Sequence, residues 1–299
     1  MDIGLCGTGR MGSAITQRLM DQGHGLTVWN RSPAKATPLL ERGARAAASP
    51  AALAAAHDLV ITVLTDARAI ETVYHGSQGL ASGDIAGKLF IDMSTVTPQT
   101  TRGLAERLGA KGAALVECPV GGSVQPAREG KLFGLAGGDP AAFARARRVL
   151  EQICRRVEHV GRNGAGSAMK LAINLPLIVY WETLGEALSL VRDLGVPLPK
   201  LLEIIGDSPG GTGALKNRAP HIVAAFDGRV PPVGYDIDGM RKDLGTMLEL
   251  AGALDVQLPM VGKALEIYDA AAREGLAARD GSSSMVVWRA TRGAQPHRT

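Results

Sequence analysis

The chain of 299 residues carries a formal net charge of +4, with 45% hydrophobic, 21% charged and 4% aromatic residues. This length accommodates two domains, each with its own buried core. The small net charge and the few aromatic side chains argue against nucleic acid as a partner, and the absence of an apolar stretch of roughly 20 residues argues against a membrane span.

The first half of the chain alternates short apolar runs with helix-like runs. The apolar runs predicted as strands are residues 3–6, 26–29, 59–64, 89–91, 114–116, 133–136 and 157–160, and a helix is predicted over residues 11–22. Near-continuous apolar strands separated by helical segments are typical of a parallel sheet that is covered on both faces. We therefore predict an α/β fold, with a Rossmann-like doubly wound sheet over residues 1–163.

After about residue 166 the strand signals nearly stop. Residues 167–194 are predicted as one long helix that is apolar on most sides, as expected of a helix buried between domains or subunits. Pro176 inside it should bend the helix, because proline removes a backbone hydrogen bond. Further helices are predicted over residues 199–206, 214–226, 240–254 and 259–274. The sequence thus predicts an all-α C-terminal domain over residues 164–290 with a long interdomain helix, followed by a flexible tail over residues 291–299.

A glycine-rich turn follows the first strand and opens the first helix. It has the pattern G-x-G-x-x-G and consists of Gly7, Thr8, Gly9, Arg10, Met11 and Gly12. In this context the glycines permit a tight turn, close approach of the backbone to a pyrophosphate, and tight packing of helix on strand. The helix N-terminus adds unsatisfied N–H groups and a positive dipole end. Dinucleotide binding is strongly favoured over a purely structural turn.

The end of the second strand should select the adenosine ribose. An acidic residue there favours NAD, whereas this chain has Asn30, Arg31 and Ser32. An arginine and a hydroxyl suit the 2′-phosphate of NADP through charge-assisted hydrogen bonds. The same residues also make good turn chemistry, so a solvated turn is the alternative. NADP is predicted as the preferred cofactor and NAD as the other possibility.

Three later stretches carry further polar groups. They read Asp-Met-Ser-Thr-Val-Thr-Pro at 92–98, Glu-Cys-Pro-Val-Gly-Gly-Ser at 117–123 and Gly-Arg-Asn-Gly-Ala-Gly-Ser-Ala-Met-Lys-Leu-Ala-Ile-Asn at 161–174. Together with the glycine-rich turn and Lys-Asp-Leu at 242–244, they resemble the β-hydroxyacid dehydrogenase family over about residues 1–285. That family includes 3-hydroxyisobutyrate dehydrogenase, tartronate semialdehyde reductase and the glyoxylate/succinic semialdehyde reductases. The resemblance implies hydride transfer between NAD(P) and a small β-hydroxy acid or semialdehyde carboxylate.

By this resemblance Lys170 is the catalytic lysine and Asn174 its neighbour one helical turn away. The spacing has a physical reason, because positions i and i+4 share a helix face and both side chains can reach one substrate. Lys170 would take the hydroxyl proton during oxidation and protonate the developing alkoxide during reduction. Alone, a lysine on an apolar helix more often extends to the surface, so the neighbouring asparagine matters to this interpretation.

The resemblance also implies a substrate-binding turn at Gly121, Gly122 and Ser123, whose backbone N–H groups would face the substrate carboxylate. Family members usually have Pro-Val-Ser-Gly where this chain has Pro-Val-Gly-Gly at 119–122, so a hydroxyl that helps to hold the substrate is lost. A second departure is Leu175 and Pro176 after Asn174, where a further asparagine is common. Both departures leave the identity of the substrate open.

Further positions follow from the resemblance. Leu64 and Thr65 would lie along the cofactor, and Ser94 and Thr95 near the nicotinamide ribose, with Ser94 also bordering the substrate. Lys242 would reach the cofactor from the second domain. Without the family context, Lys242 and the aspartate after it would be an exposed helical charge pair.

Two other functions remain open on the sequence alone. An imine reductase shares this architecture but generally has another residue where Lys170 stands. A non-catalytic dinucleotide-binding scaffold would be free to lose that lysine, so its presence favours an enzyme. The three cysteines lack metal-ligand spacing and fit a reducing cytoplasm, the histidines predict no metal site, and the long apolar helix indicates a homodimer or homotetramer.

Overall fold

The computed structural model describes residues 1–292. The chain divides into two compact units, Met1–Leu171 and Ala172–Thr299. The predicted tail over residues 291–299 begins with two residues that belong to the last helix, and its remaining residues lie outside those described.

Within the described residues, the first unit contains nine strands and seven complete α-helices. The strands are β1 Asp2–Cys6, β2 Gly25–Trp29, β3 Arg45–Ala46, β4 Leu59–Thr62, β5 Leu89–Asp92, β6 Ala114–Glu117, β7 Val120–Gly121, β8 Leu132–Gly138 and β9 Cys154–Gly161. The helices are α1 Arg10–Asp21, α2 Thr37–Leu40, α3 Pro50–Ala56, α4 Ala67–His75, α5 Pro98–Gly109, α6 Val124–Arg128 and α7 Pro140–Ile153. A longer helix, α8 Ala165–Val191, starts in this unit and continues into the second.

The strands form one sheet in the order β3-β2-β1-β4-β5-β6-β8-β7, with β9 paired to β8. The strands from β3 to β6 are parallel, as the sequence predicts. One predicted strand departs from the parallel arrangement: β8 runs antiparallel to both β6 and β7. The chain returns from β7 to β8 through the single short helix α6, which is less than the crossover that a parallel pair requires.

Two hydrophobic cores cover the two faces of this sheet. One core joins the sheet to α1 and α7, with Ile15, Leu19, Val149 and Leu150 fully buried. The other joins the sheet to α3, α4 and α5 and contains the fully buried Leu53. Helices on both faces confirm the predicted doubly wound arrangement.

Polar residues at strand-to-helix junctions begin several helices of the first unit. Such residues are Ser49, Asp66, Thr97 and Asp139, whose side chains accept hydrogen bonds from backbone N–H groups two or three residues further along the chain. These caps satisfy N–H groups that have no partner within the helix. They define the residue at which each helix begins.

The second unit is helical, as predicted. It contains the later part of α8, then α9 Leu198–Asp207, α10 Gly213–Phe226, α11 Ile237–Leu254, α12 Pro259–Ala271 and α13 Ser283–Arg292. α8 continues through Pro176, and a short 3₁₀ turn at Arg192–Leu194 follows it. Tyr268 on α12 is fully buried and donates to the carbonyl of Ile178 on α8 at 2.9 Å, which joins these two helices. Within residues 1–292, no helix has the length and apolar character needed to cross a membrane.

Candidate active site

The glycine-rich turn between β1 and α1 is closely packed at its first and third glycines. Gly7 has φ +102°, and a Cβ there would lie 2.3 Å from the Val63 carbonyl oxygen. A Cβ on Gly12 would lie 1.9 Å from the Gly7 carbonyl oxygen. A Cβ on Gly9, by contrast, would meet no atom within 4 Å. The outer glycines therefore allow the backbone to pack, while the middle one keeps an open space beside the turn.

This open space is bordered by groups that suit an anionic ligand. Gly9 is the N-cap residue of α1 and supplies no side-chain acceptor to the first turn. Thr8 is buried, and within the described part of the chain its Oγ1 has no hydrogen-bond partner. A helix N-terminus without a side-chain cap is a favourable site for phosphate. The turn thus fits the pyrophosphate of a dinucleotide.

The residues after β2 divide into two roles. Asn30 accepts a hydrogen bond from the Thr8 backbone N–H at 3.0 Å and donates to the Ser32 carbonyl oxygen at 2.9 Å. Arg31 and Ser32 are exposed. Asn30 therefore holds the glycine-rich turn in shape, and Arg31 is the cation presented at this position.

A buried polar network lies at the carboxyl ends of β4 and β5. The Oδ1 of Asp92 accepts from Thr62 Oγ1 at 2.6 Å and from Ser94 Oγ at 2.7 Å. Ser94 Oγ in turn accepts from the Leu64 backbone N–H at 2.9 Å. Burial raises the pKa of Asp92 from 3.8 to about 6, although the hydrogen bonds from Thr62 and Ser94 oppose this. Ser94 was predicted to border the substrate, and in the structure its hydroxyl connects two loops of the sheet edge.

The other predicted residues of this edge are more accessible. Thr65 is exposed, and its hydroxyl donates to Asp66 at 3.1 Å, directly before α4. Leu64 and Thr95 are half-buried. The network of Asp92 thus fixes the backbone on which Leu64 and Thr65 lie.

The turn at Gly121, Gly122 and Ser123 connects β7 to α6. Gly122 has φ +122°, and a Cβ there would lie 2.9 Å from Leu132 Cδ2, so this position requires glycine. A Cβ on Gly121 would lie 3.7 Å from Phe133 Cβ, which is ordinary contact. A Cβ at position 121, where the resemblance implies a serine, therefore meets no steric clash. Steric exclusion does not explain its replacement by glycine.

The start of α8 is held by a buried carboxylate from β6. Glu117 accepts hydrogen bonds from the backbone N–H groups of Gly164, Gly166 and Ser167 and from the Ser167 hydroxyl. Lys170 follows one helical turn after Ser167, and only 9% of its surface is exposed. The predicted catalytic lysine is thus largely buried. It lies one helical turn after the residues of α8 that Glu117 of β6 holds.

In the second unit, Asn174 belongs to a polar cluster on α8 and α11. Its Nδ2 donates to Asp243 Oδ2 at 2.7 Å. The Tyr235 hydroxyl donates to the same oxygen, and Lys242 Nζ lies 2.5 Å from Asp243 Oδ1. Asn174 and Asp243 are both buried. The pKa of the Tyr235 phenol is raised well above its usual value, mainly by burial and secondly by the neighbouring Asp243 carboxylate. Asp243 therefore fixes the orientation of the Asn174 amide.

Sequence reasoning missed the roles of Asp92, Glu117 and Tyr235. The two carboxylates had a readable signal, because each is a charged residue that ends an otherwise apolar buried strand. Such a residue needs buried partners. Tyr235 offered no comparable signal in the sequence. Among residues 1–292, no group of three or more histidine, cysteine or acidic side chains could hold a metal ion.

Known families match both parts of the chain. Residues 2–161 match the NAD binding domain of 6-phosphogluconate dehydrogenase. Residues 164–288 match the NAD-binding domain of NADP-dependent 3-hydroxyisobutyrate dehydrogenase. The first match alone covers more than half of the chain.

Individual proteins are similar over nearly the whole length. The chain is 33% identical to 2-(hydroxymethyl)glutarate dehydrogenase of Eubacterium barkeri, covering 96% of this chain and 94% of that protein. It is 34% identical to 3-hydroxyisobutyrate dehydrogenase of Pseudomonas aeruginosa, covering 89% and 91% respectively. A solved 3-hydroxyisobutyrate dehydrogenase of Mycobacterium tuberculosis with L-serine superposes with a TM-score of 0.84 at 28% identity, covering 96% of this chain and 99% of that one.

An imine reductase of Streptomyces aurantiacus is more distant. It superposes with a TM-score of 0.66 at 21% identity, covering 96% of this chain and 99% of that one. At this identity the likeness concerns the fold alone.

Proposed function

This chain belongs to the β-hydroxyacid dehydrogenase family, and we propose that it transfers hydride reversibly between NADP and a small carboxylate that bears a β-hydroxyl or a semialdehyde group. It is an NAD(P)-dependent oxidoreductase, because both family matches are NAD-binding domains of dehydrogenases and both relatives are dehydrogenases. The observation that carries the finer proposal is the burial of Lys170 at the start of α8, in the same unit as the glycine-rich turn.

In this proposal the glycine-rich turn binds the pyrophosphate through the N-terminal N–H groups of α1. When bound, the nicotinamide supplies or accepts the hydride. Lys170 handles the accompanying proton: its ammonium donates to the carbonyl oxygen during reduction, and its amine accepts from the hydroxyl during oxidation. Asn174, one turn further along α8, is oriented by Asp243 and contacts the same substrate group.

The substrate carboxylate is assigned to the turn at Gly121, Gly122 and Ser123. Its backbone N–H groups would supply the hydrogen bonds that the missing family serine does not. The names of two relatives, 2-(hydroxymethyl)glutarate dehydrogenase and 3-hydroxyisobutyrate dehydrogenase, both denote acids with a hydroxyl on the β-carbon. They support a substrate of this class.

Three further assignments complete the proposal. NADP is preferred over NAD, because Arg31 is exposed where the 2′-phosphate would lie. The protein is a homodimer or homotetramer, because α8 is apolar on most sides. It acts in the cytoplasm, where its three free, buried cysteines remain reduced.

A kinetic panel tests the proposal. Glyoxylate, succinic semialdehyde, tartronate semialdehyde, 3-hydroxyisobutyrate and serine are each assayed with both cofactors. We expect turnover of at least one, and we expect Lys170→Ala to lower kcat by about 10²–10⁴-fold while the Kd for NADPH stays unchanged. Lys131→Ala, at a lysine whose side chain is 64% exposed, serves as the matched control and should retain full activity. Equal inertness of wild type and Lys170→Ala would instead favour a non-catalytic scaffold, and equal activity would refute the role of Lys170.

A further inference from the structure

Glu117 is a carboxylate in an unusual position, at the end of a central strand and only 1% exposed. It accepts hydrogen bonds from three backbone N–H groups and one hydroxyl, all within residues 164–167. Burial raises the pKa of Glu117, and these hydrogen bonds act against that shift. The carboxylate therefore takes the place of a helix N-cap, although it belongs to a different element.

Other helices of the first unit are capped by a residue directly before them, such as Ser49 for α3 and Asp139 for α7. A local cap satisfies the N–H groups but leaves the helix free to shift against the sheet. Glu117 ties the first turn of α8 to the carboxyl end of β6, which lies at the same edge of the sheet as the glycine-rich turn after β1.

The surroundings leave this first turn little freedom. Gly164 has φ +98°, and a Cβ on Gly166 would lie 2.3 Å from the Leu135 carbonyl oxygen. The Ser167 hydroxyl also lies 2.9 Å from Thr101 Oγ1 on α5. The start of α8 is thus held by the sheet, by a neighbouring helix and by close backbone packing.

Lys170 stands three residues after Ser167, so the two side chains lie on the same face of α8. Any shift or rotation of the first turn would carry Lys170 with it. A misplacement of about 1 Å at a reacting group can reduce a rate about 100-fold. We infer that Glu117 is a positioning residue for Lys170, which fixes the depth and rotation of its helix against the sheet edge that binds the dinucleotide.

This inference rests on the proposed role of Lys170, and its test separates the two. Glu117→Gln keeps the shape of the side chain but turns an amide N–H₂ toward groups that donate, so that part of the anchor is lost. We expect kcat to fall about 30-fold, the Kd for NADPH to stay within about twofold, and the deuterium isotope effect on kcat with 4-deuterated NADPH to increase. A residue that only stabilised the fold would lower the melting temperature without changing the isotope effect.

Ser167→Ala serves if Glu117→Gln does not fold: it removes one of the four hydrogen bonds to Glu117, together with the hydroxyl contact with Thr101. A fall of about threefold in kcat is expected. Glu158→Gln, at a partly exposed carboxylate on β9, is the matched control and should behave as wild type. Crystal structures of wild type and Glu117→Gln with NADP give a readout without activity, in which Lys170 Nζ should move by about 1 Å or more. An unmoved Lys170 in the variant overturns the inference. A wild type that is as inert as Lys170→Ala overturns only the proposed function.

Discussion

The three glycine positions after β1 differ in the space that they leave for a side chain. A Cβ on Gly12 would lie 1.9 Å from a carbonyl oxygen, whereas one on Gly9 would enter open space. We therefore predict that Gly12→Ala destabilises the protein by about 1–3 kcal/mol, because the helix must move away from the turn. Gly9→Ala should keep the wild-type melting temperature but weaken NADPH binding about 10-fold or more, because its methyl group occupies space that the pyrophosphate needs.

Thermal unfolding and titration by NADPH fluorescence measure the two effects separately. Each variant is the control for the other, since both replace a glycine of one turn by the same residue. Equal melting temperatures for the two alanine variants would contradict the steric argument. Unchanged NADPH binding in Gly9→Ala would remove the turn from the cofactor site.

Arg31 permits a prediction about cofactor choice. Hydrogen bonds to a charged group contribute about 1.5–3 kcal/mol, which corresponds to roughly 10–100-fold in affinity. Arg31→Ala should therefore raise the Kd for NADPH by that factor and leave the Kd for NADH nearly unchanged. Lys35→Ala, at an exposed lysine four residues away, controls for a general loss of positive charge. A similar loss for both cofactors, or for neither, would show that Arg31 does not bind the 2′-phosphate.

At the scale of elements, Asp92 connects two neighbouring strands through Thr62 and connects the following loops through Ser94. Its pKa is raised from 3.8 to about 6, chiefly by burial. Between these pH values the folded protein holds a proton that the unfolded chain has released, so this group makes stability fall as pH rises. Asparagine cannot ionise and escapes this loss.

We predict that the free energy of unfolding of Asp92→Asn, relative to wild type, increases by up to about 3 kcal/mol between pH 4 and pH 7. Urea denaturation at unit steps of pH measures this difference. Asp21→Asn, which removes an exposed ion pair with Arg42, should show no comparable trend. Curves for wild type and Asp92→Asn that stay parallel across the range would mean that Asp92 does not titrate there.

The sequence predicted the identity of most elements but not how they associate. The helices α10 and α11 were predicted to within one to three residues at their starts, because apolar periodicity and glycine or proline mark their ends. The antiparallel direction of β8 was missed, since an apolar run carries no information about strand direction. The anchor of α8 was missed for a similar reason: Glu117 and Ser167 are 50 residues apart in the chain, and only the fold brings them together.

At the scale of the whole molecule, apolar side chains at the end of α8 and in the 3₁₀ turn after it remain exposed in the single chain. Leu190 is 85% exposed and Leu194 is 65% exposed. Burying apolar surface contributes about 25 cal/mol per Å², so a second copy that covered these side chains would be stabilised by doing so. Their exposure agrees with the proposal that the protein is a homo-oligomer.

We predict a mass of two or four times the 31.1 kDa of one chain by light scattering after size exclusion. Replacing Leu190 and Leu194 together by lysine should reduce this mass, because charged side chains in an apolar contact cost several kcal/mol when they are buried. Val230→Lys, at a loop residue that is 65% exposed, is the control and should keep the wild-type mass. A monomeric wild type, or a double lysine variant with the wild-type mass, would show that the end of α8 is not an interface between copies of this chain.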